Sequence, residues 1–305
     1  MQRRHFLGTS LAAPQLVTSG APDLVVERAV AGRPHAGKVL AAIQPHSDDI
    51  PLLAAGTLAK LLAEGYTGYL LRVTNDDMAG PGTVGDTVLA NERDNFAVAR
   101  VLGLKKVFDL NYSNHQMDAE SRLEIRARLI FLFRLLKVDT ILCYDPWGHY
   151  EENPDHYVTA QCAEAACWMA AGSKDYPEHF DAGLATHAVR EKYYFARGPQ
   201  LVNRIVDISA TMDKKVEVNL VNLAQGPAGA NGARLRARLA AEKRRLPILG
   251  NDDDTANRNY IRHLVLKRDA DLGRQHGVDY AEKFHYIGPP ADAIGDYVRQ
   301  NAVPL

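Results

Sequence analysis

Apolar and polar positions along this chain fall into blocks that predict strand, loop and helix in turn. Val39–Gln44 is a short apolar run with the look of a buried strand, and it breaks into the polar stretch Pro45-His46-Ser47-Asp48-Asp49. From Ile50 apolar residues return at helical spacing (Leu52, Leu53, Leu58, Leu61, Leu62) until Gly65 ends them. Tyr69–Thr74 predicts a second strand, with a glycine-containing loop over 75–86 behind it. A helix over 89–103, a short strand over 106–110, an amphipathic helix over 120–137 and a strand over 140–144 follow. A polar loop over 145–154 then leads into a helix over 155–171, strands over 190–196 and 204–208, and a helix over 209–223.

This alternation predicts an α/β fold: a Rossmann-like, mostly parallel sheet with helices on both faces. Beyond Gln225 the character changes to a Gly-rich loop over 226–232, a basic helix over 233–245, an acidic turn over 250–255 and a helical run over 258–273. Residues 25–225 therefore read as the catalytic unit, and 226–305 as a helical C-terminal extension packed on it. The first 24 residues stand apart. Met1-Gln2-Arg3-Arg4-His5-Phe6-Leu7 and the weakly apolar stretch to Val17 look like a twin-arginine export signal, the other reading being a disordered basic tail. The signal would send the protein to the periplasm or outside the cell; without it the protein stays in the cytoplasm.

Charge and cysteines narrow the partners. A formal net charge of −1 over 305 residues, with a pI near 6.8, gives no electrostatic footprint for nucleic acid or a membrane surface. No run is long enough for stable membrane insertion. Cys143, Cys162 and Cys167 form no CxxC and read as buried thiols. There is no GxSxG, P-loop or GxGxxG, which leaves serine-hydrolase, NTPase and dinucleotide chemistry without local support. A small-molecule substrate is the expected partner, and homo-oligomerisation is left open.

In such sheets ligands sit at the carboxyl ends of the strands, where His46, Asp48 and Asp49 fall. A second histidine, His156, opens a helix after the fourth strand of the alternation, at the same sheet edge. His46, Asp49 and His156 are a suitable Zn²⁺ set with one position left for water, and Fe²⁺ suits the same donors. Asp48, next to a ligand and free of that duty, is the natural general base. Asp155 reads equally as helix cap or site residue. Asp76-Asp77 reads as a solvated turn, the other reading being a place lining the site; Asp252–Asp254 reads as a solvated turn, and His115, His179 and His187 read as surface residues.

Together the two segments resemble the PIG-L/LmbE-like family of zinc-dependent N-deacetylases. Its His-Pro-Asp-Asp-Glu motif stands here as His46-Ser47-Asp48-Asp49-Ile50, and its His-Pro-Asp-His motif as Asn153-Pro154-Asp155-His156. Thr74-Asn75-Asp76, Leu102-Gly103-Leu104, Val206-Asp207-Ile208 with Lys214-Lys215 and Ala224-Gln225, and Asp279–Phe284 match weaker family segments. The resemblance implies zinc on His46, Asp49 and His156, with Asp48 as base. It also implies an oxyanion-stabilising Tyr150, a substrate-contacting Arg93, and release of acetate from an N-acetylglucosamine-type amino sugar. Asn153 falls where the family's histidine polarises the carbonyl; asparagine can donate a neutral hydrogen bond but cannot act as an acid, so either His149 or Tyr150 takes over, or the protein is slower or acts on another amide. Ile50 and Asn153 also motivate a rival reading, an exported ligand-binding protein with a degenerate, non-catalytic pocket.

Overall fold

The computed structural model describes residues 23–289 and 292–304, so the twin-arginine stretch lies outside the described residues. Its strands are β1 (Val25–Glu27), β2 (Val39–Gln44), β3 (Thr67–Thr74), β4 (Val107–Tyr112), β5 (Thr140–Tyr144), β6 (Glu191–Phe195), β7 (Arg204–Asp207) and β8 (Ala281–Ile287). They form one sheet in the order β1-β7-β8-β6-β5-β2-β3-β4. All neighbours are parallel except β8, which runs antiparallel to both β6 and β7.

The helices are α1 (Asp49–Leu53), α2 (Ala55–Ala63), α3 (Val84–Leu102), α4 (Arg122–Leu136), α5 (Pro154–Met169), α6 (Glu178–Asp181), α7 (Met212–Leu220), α8 (Asn231–Ala241), α9 (Asp253–Tyr260), α10 (Lys267–Gln275) and α11 (Ala293–Asn301). None among the described residues is long and apolar enough to cross a membrane. The period-2 geometry of a strand sends β2 side chains to both faces. Leu40 and Ala42 join Leu58 and Leu61 of α2, Val98 of α3 and Val216 of α7 in one core. Ala41 and Ile43 join Ile125, Leu129 and Phe133 of α4 and Val158 of α5 in the other. Burial on both sides explains why β2 and β5 read as unbroken apolar runs.

Three sequence expectations need correction. The helix expected from residue 89 begins at Val84, because Thr83 and Asp86 form a reciprocal capping box upstream. The extension from residue 226 is not purely helical: it supplies β8, in the interior of the sheet. Glu282 fixes that strand, accepting the Gly56 and Thr57 N–H groups at 3.0 and 2.8 Å and the Lys215 ammonium at 2.6 Å. Finally, His179 is buried, its ring 3.1 Å from the Arg134 guanidinium, and His187 is half-buried beside Asp139. The three cysteines are free and buried, as the sequence suggested.

Candidate metal centre and active-site cavity

The carboxyl ends of β2, β3, β4, β5 and β6 open on one cavity of about 410 Å³. The turn after β2 delivers His46, Asp48 and Asp49 to it. Asn153 caps α5 by accepting the Asp155 N–H at 2.9 Å, and Pro154 takes the first helical position, where its missing N–H matters least. That start places Asp155 and His156 at the same sheet edge.

His46, Asp49 and His156 converge and are buried. His46 Nδ1 lies 3.0 Å from His156 Nε2 and 3.4 Å from an Asp49 oxygen, and His156 Nε2 lies 3.6 Å from the other Asp49 oxygen. Donors bound at about 2.0–2.1 Å around a tetrahedral ion stand about 3.3 Å apart, so this triangle fits a metal. The outer ring nitrogens point the same way. His46 Nε2 lies 2.9 Å from Asp155 Oδ2, and His156 Nδ1 lies 3.0 Å from Glu151 Oε1. The Asp155 carboxylate takes the outer N–H of His46, which in the neutral ring leaves its Nδ1 lone pair facing the centre, and Glu151 stands within ion-pair distance of His156 Nδ1. The Tyr144 hydroxyl donates to Asp49 Oδ1 at 2.7 Å, and its ring stacks on His156.

The electrostatics follow from burial and carboxylate crowding. Burial alone would lower the His46 pKa, but hydrogen bonds to Asp155 and Asp49 carry it well above the usual imidazole range. Burial would raise Asp49, yet His156 and His46 hold it down to about 2. His46 pulls Asp48 down as well, but by less. Burial, and then the neighbouring Asp49 charge, push it up to about 7.

The sequence missed the scaffold behind Asp48. Asp76 is not a solvated turn residue. It is fully buried, 3.1 Å from the Arg72 guanidinium, and accepts the Gln225 amide at 2.8 Å. Gln225 also donates to Ser47 and Asn91, and Asn222 donates to the Ser47 carbonyl at 2.7 Å. Asp94 accepts the N–H groups of Leu223 and Ala224. The loop so anchored brings Gly226 against Asp48: a Cβ there would lie 2.6 Å from the carboxylate, and φ is +79°. Asp77 likewise turns inward, taking the Ser113 hydroxyl and the Asn114 N–H. The legible signal was Arg72, a charge inside an apolar strand, which needs a carboxylate close by.

Not every residue singled out in the sequence reaches the cavity. Asp48 and Asn153 line it. Tyr150 does not; it is 88 % exposed. His149 also lies off the lining, its N–H on the Pro199 carbonyl. Arg93 projects from α3 into a separate surface depression beside Glu92 and Phe96, so the structure does not bring it to the metal ligands. The arginines at the cavity are Arg197 and Arg268. His115, expected at the surface, also lines it. Ile50 is wholly within the core.

The profile of the family described as PIG-L, GlcNAc-PI de-N-acetylase, matches residues 41–167. The diacetylchitobiose deacetylase of Thermococcus kodakarensis is 28 % identical over 194 residues, spanning 62 % of this chain and 71 % of that protein. The N,N'-diacetylchitobiose deacetylase of Pyrococcus horikoshii superposes with a TM-score of 0.65 at 23 % identity, covering 84 % of this chain and 88 % of that one. GalB, the 4-carboxy-2-hydroxymuconate hydratase of Pseudomonas putida KT2440, shares the fold at 16 % identity and a TM-score of 0.58, covering 83 % of this chain and 98 % of its own. Fold alone therefore does not name a reaction. The matched residues do more, because they hold both histidines, both adjacent aspartates and the strands that present them: over residues 41–167 the chain is similar to the PIG-L family.

Proposed function

We propose that the protein is a zinc-dependent N-deacetylase that frees acetate from an N-acetylglucosamine-type amino sugar or conjugate. The observation that carries this reading is the buried His46–Asp49–His156 triangle with Asp48 beside it in an open cavity. Two neutral imidazoles and one carboxylate suit zinc, and Fe²⁺ suits the same set. The diacetylchitobiose deacetylases it resembles support an acetylated amino sugar as substrate.

A bound ion would polarise the acetamide carbonyl and ease deprotonation of water. The protein's own groups do the rest. Asp48 takes the proton from the attacking water; a carboxyl pushed up to about 7 holds that proton at neutral pH, although a cation beside it draws the value back down. The Asn153 carbonyl oxygen is occupied by the Asp155 N–H, which leaves its amide N–H groups to donate to the oxyanion as the carbonyl carbon becomes tetrahedral. Asp155 keeps the His46 imidazole in one tautomer and orientation, and the Glu151 charge stands beside His156 Nδ1. Tyr144 holds Asp49 in place.

The test is metal analysis of the purified protein, followed by acetate release from N,N'-diacetylchitobiose and N-acetylglucosamine. One zinc per chain and acetate from either sugar are expected. Bound metal with no acetate from a panel of acetylated amino sugars favours the binding-protein reading. An Asp48→Asn protein that turns over as fast as its parent removes Asp48 as base. Export rests on the Arg3-Arg4 stretch, and fusing residues 1–24 to a periplasmic reporter tests it.

A further inference from the structure

The reaction proposed above needs a proton on nitrogen. An alkyl amide nitrogen leaves as an amine only if it is protonated as the C–N bond breaks. Where the second motif could carry an acid it carries Asn153, whose amide has no proton to give. The other ionisable groups lining the cavity are committed. His46, Asp49 and His156 face the metal position. Asp48 receives the proton from water. Tyr144 spends its hydroxyl proton on the hydrogen bond to Asp49. Arg197 and Arg268 keep their protons at any working pH. Among the described lining residues His115 remains, and histidine is the side chain that ordinarily exchanges a proton near neutrality.

The loop that carries His115 is built to hold it there. Its N–H donates to Asp155 Oδ2 at 2.8 Å, and the same oxygen takes the His46 Nε2–H at 2.9 Å. A single carboxylate oxygen thus fixes the His115 main chain relative to a metal ligand. Just before it, Ser113 and Asn114 are tied to the Asp77 carboxylate at 2.7 and 2.9 Å. His115 adopts φ +59°, a left-handed conformation uncommon for a residue with a side chain and often met at functional sites. Its ring has no hydrogen-bond or ion-pair partner among the described residues, while its main chain is pinned. It is also open to solvent, so a spent proton can be replaced.

We propose that His115 is the general acid of the deacetylation, giving the leaving amine the proton that Asn153 cannot supply. This rests on the deacetylase reading. Water adds its oxygen to the acetamide carbon and passes one proton to Asp48. The C–N bond then breaks with its electron pair left on nitrogen, and the His115 imidazolium supplies the proton that makes the leaving group a neutral amine. Acetic acid is the other product. The proton on Asp48 returns through solvent to His115, so the cycle closes with no further reactant.

The test compares zinc-loaded parent, His115→Gln, and His115→Gln combined with Asn153→His, after the zinc content of each is measured. Substrates are N,N'-diacetylchitobiose and 4-nitrophenyl acetate, whose phenolate leaves without a proton. His115→Gln is expected to lower kcat on the amide about 10²-fold with KM nearly unchanged, and to change ester cleavage by no more than about threefold. Asn153→His in that background is expected to recover about tenfold or more. In the zinc-loaded parent, adding glucosamine is expected to shift the ring resonances of His115, a readout that does not depend on turnover or on any variant folding. If the parent cleaves the amide and His115→Gln matches it, His115 is not the acid while the deacetylase reading stands. Equal loss on amide and ester, or unmoved ring resonances, also overturns the assignment. A parent that frees no acetate overturns both readings.

Discussion

The turn after β2 runs from strand to helix through Pro45 to Asp48, and apart from Asp48 every residue in it is buried. The loop after β5 runs from Asp145 to Asn153 and is mostly open, with Trp147, His149, Tyr150 and Glu152 exposed. In the first, His46 and Ser47, and Asp49 just after them, each have a fixed partner: His46 on Asp155, Ser47 on Asn91, Asp49 on Tyr144 and on the His46 N–H. In the second, the fixed groups are at the two ends: Asp145 accepts the Trp147 N–H and the Gln200 amide beside β5, and near α5 Asn153 caps the helix and Glu151 meets His156. The contrast separates two duties. Metal ligands need positions held to a fraction of an ångström and sit where the chain is short and packed. Asn153, the oxyanion donor proposed above, sits at the end of the more open loop, where one donor can replace another without moving the ligands.

The sharpest way to break this contrast is to remove a ligand. His46→Ala and Asp49→Ala are expected to lose bound metal and at least about 10³-fold in kcat, read by metal analysis and acetate release. Next comes the carboxylate that joins the two regions. Asp155→Asn keeps one oxygen for His46 and His115 but loses the carboxylate charge and sets an N–H donor against the Met117 N–H, and metal affinity by chelator competition is expected to fall about 10- to 100-fold. Gly226→Ala should be milder on metal than on rate. Its Cβ displaces the Asp48 carboxylate, and kcat is expected to drop about 10- to 100-fold at unchanged zinc content. Least affected is the exposed tip of the loop after β5. Tyr150→Phe is expected within about threefold of parent, whereas Asn153→Asp, which keeps the cap and loses the N–H donors, is expected to cost about 10²-fold. If Tyr150→Phe is as damaging as Asn153→Asp, the exposed loop closes over substrate and the contrast weakens.

The first region was legible because its information is local. An apolar run, a His-Ser-Asp-Asp break and a helical repeat are adjacent in the sequence, and β5 with His156 repeats the arrangement. Where partners are distant, the sequence is silent. Asp76 read as a turn residue because the Gln225 amide that satisfies it comes from far along the chain. His115 had no pattern of its own, and only the convergence of the loop after β4 with Asp155 places it at the cavity. β8 escaped for the same reason. Ala281–Ile287 carries Glu282, Lys283 and His285, too polar for a buried strand until Lys215 and the start of α2 are seen to receive Glu282. Tyr150 and Arg93 were carried over from resemblance alone, and the structure sets both away from the ligands.

The place of β8 also bears on how the protein is made. The strand lies between β6 and β7, so neither can pair with its final neighbour until residues 281–287 have left the ribosome. The parallel part, β2 to β6, can assemble earlier during synthesis, holding the ligands' strands in place while two edges stay open. A stall late in translation would leave those edges free to pair with other chains, and a chaperone that shields extended segments would matter most in that interval.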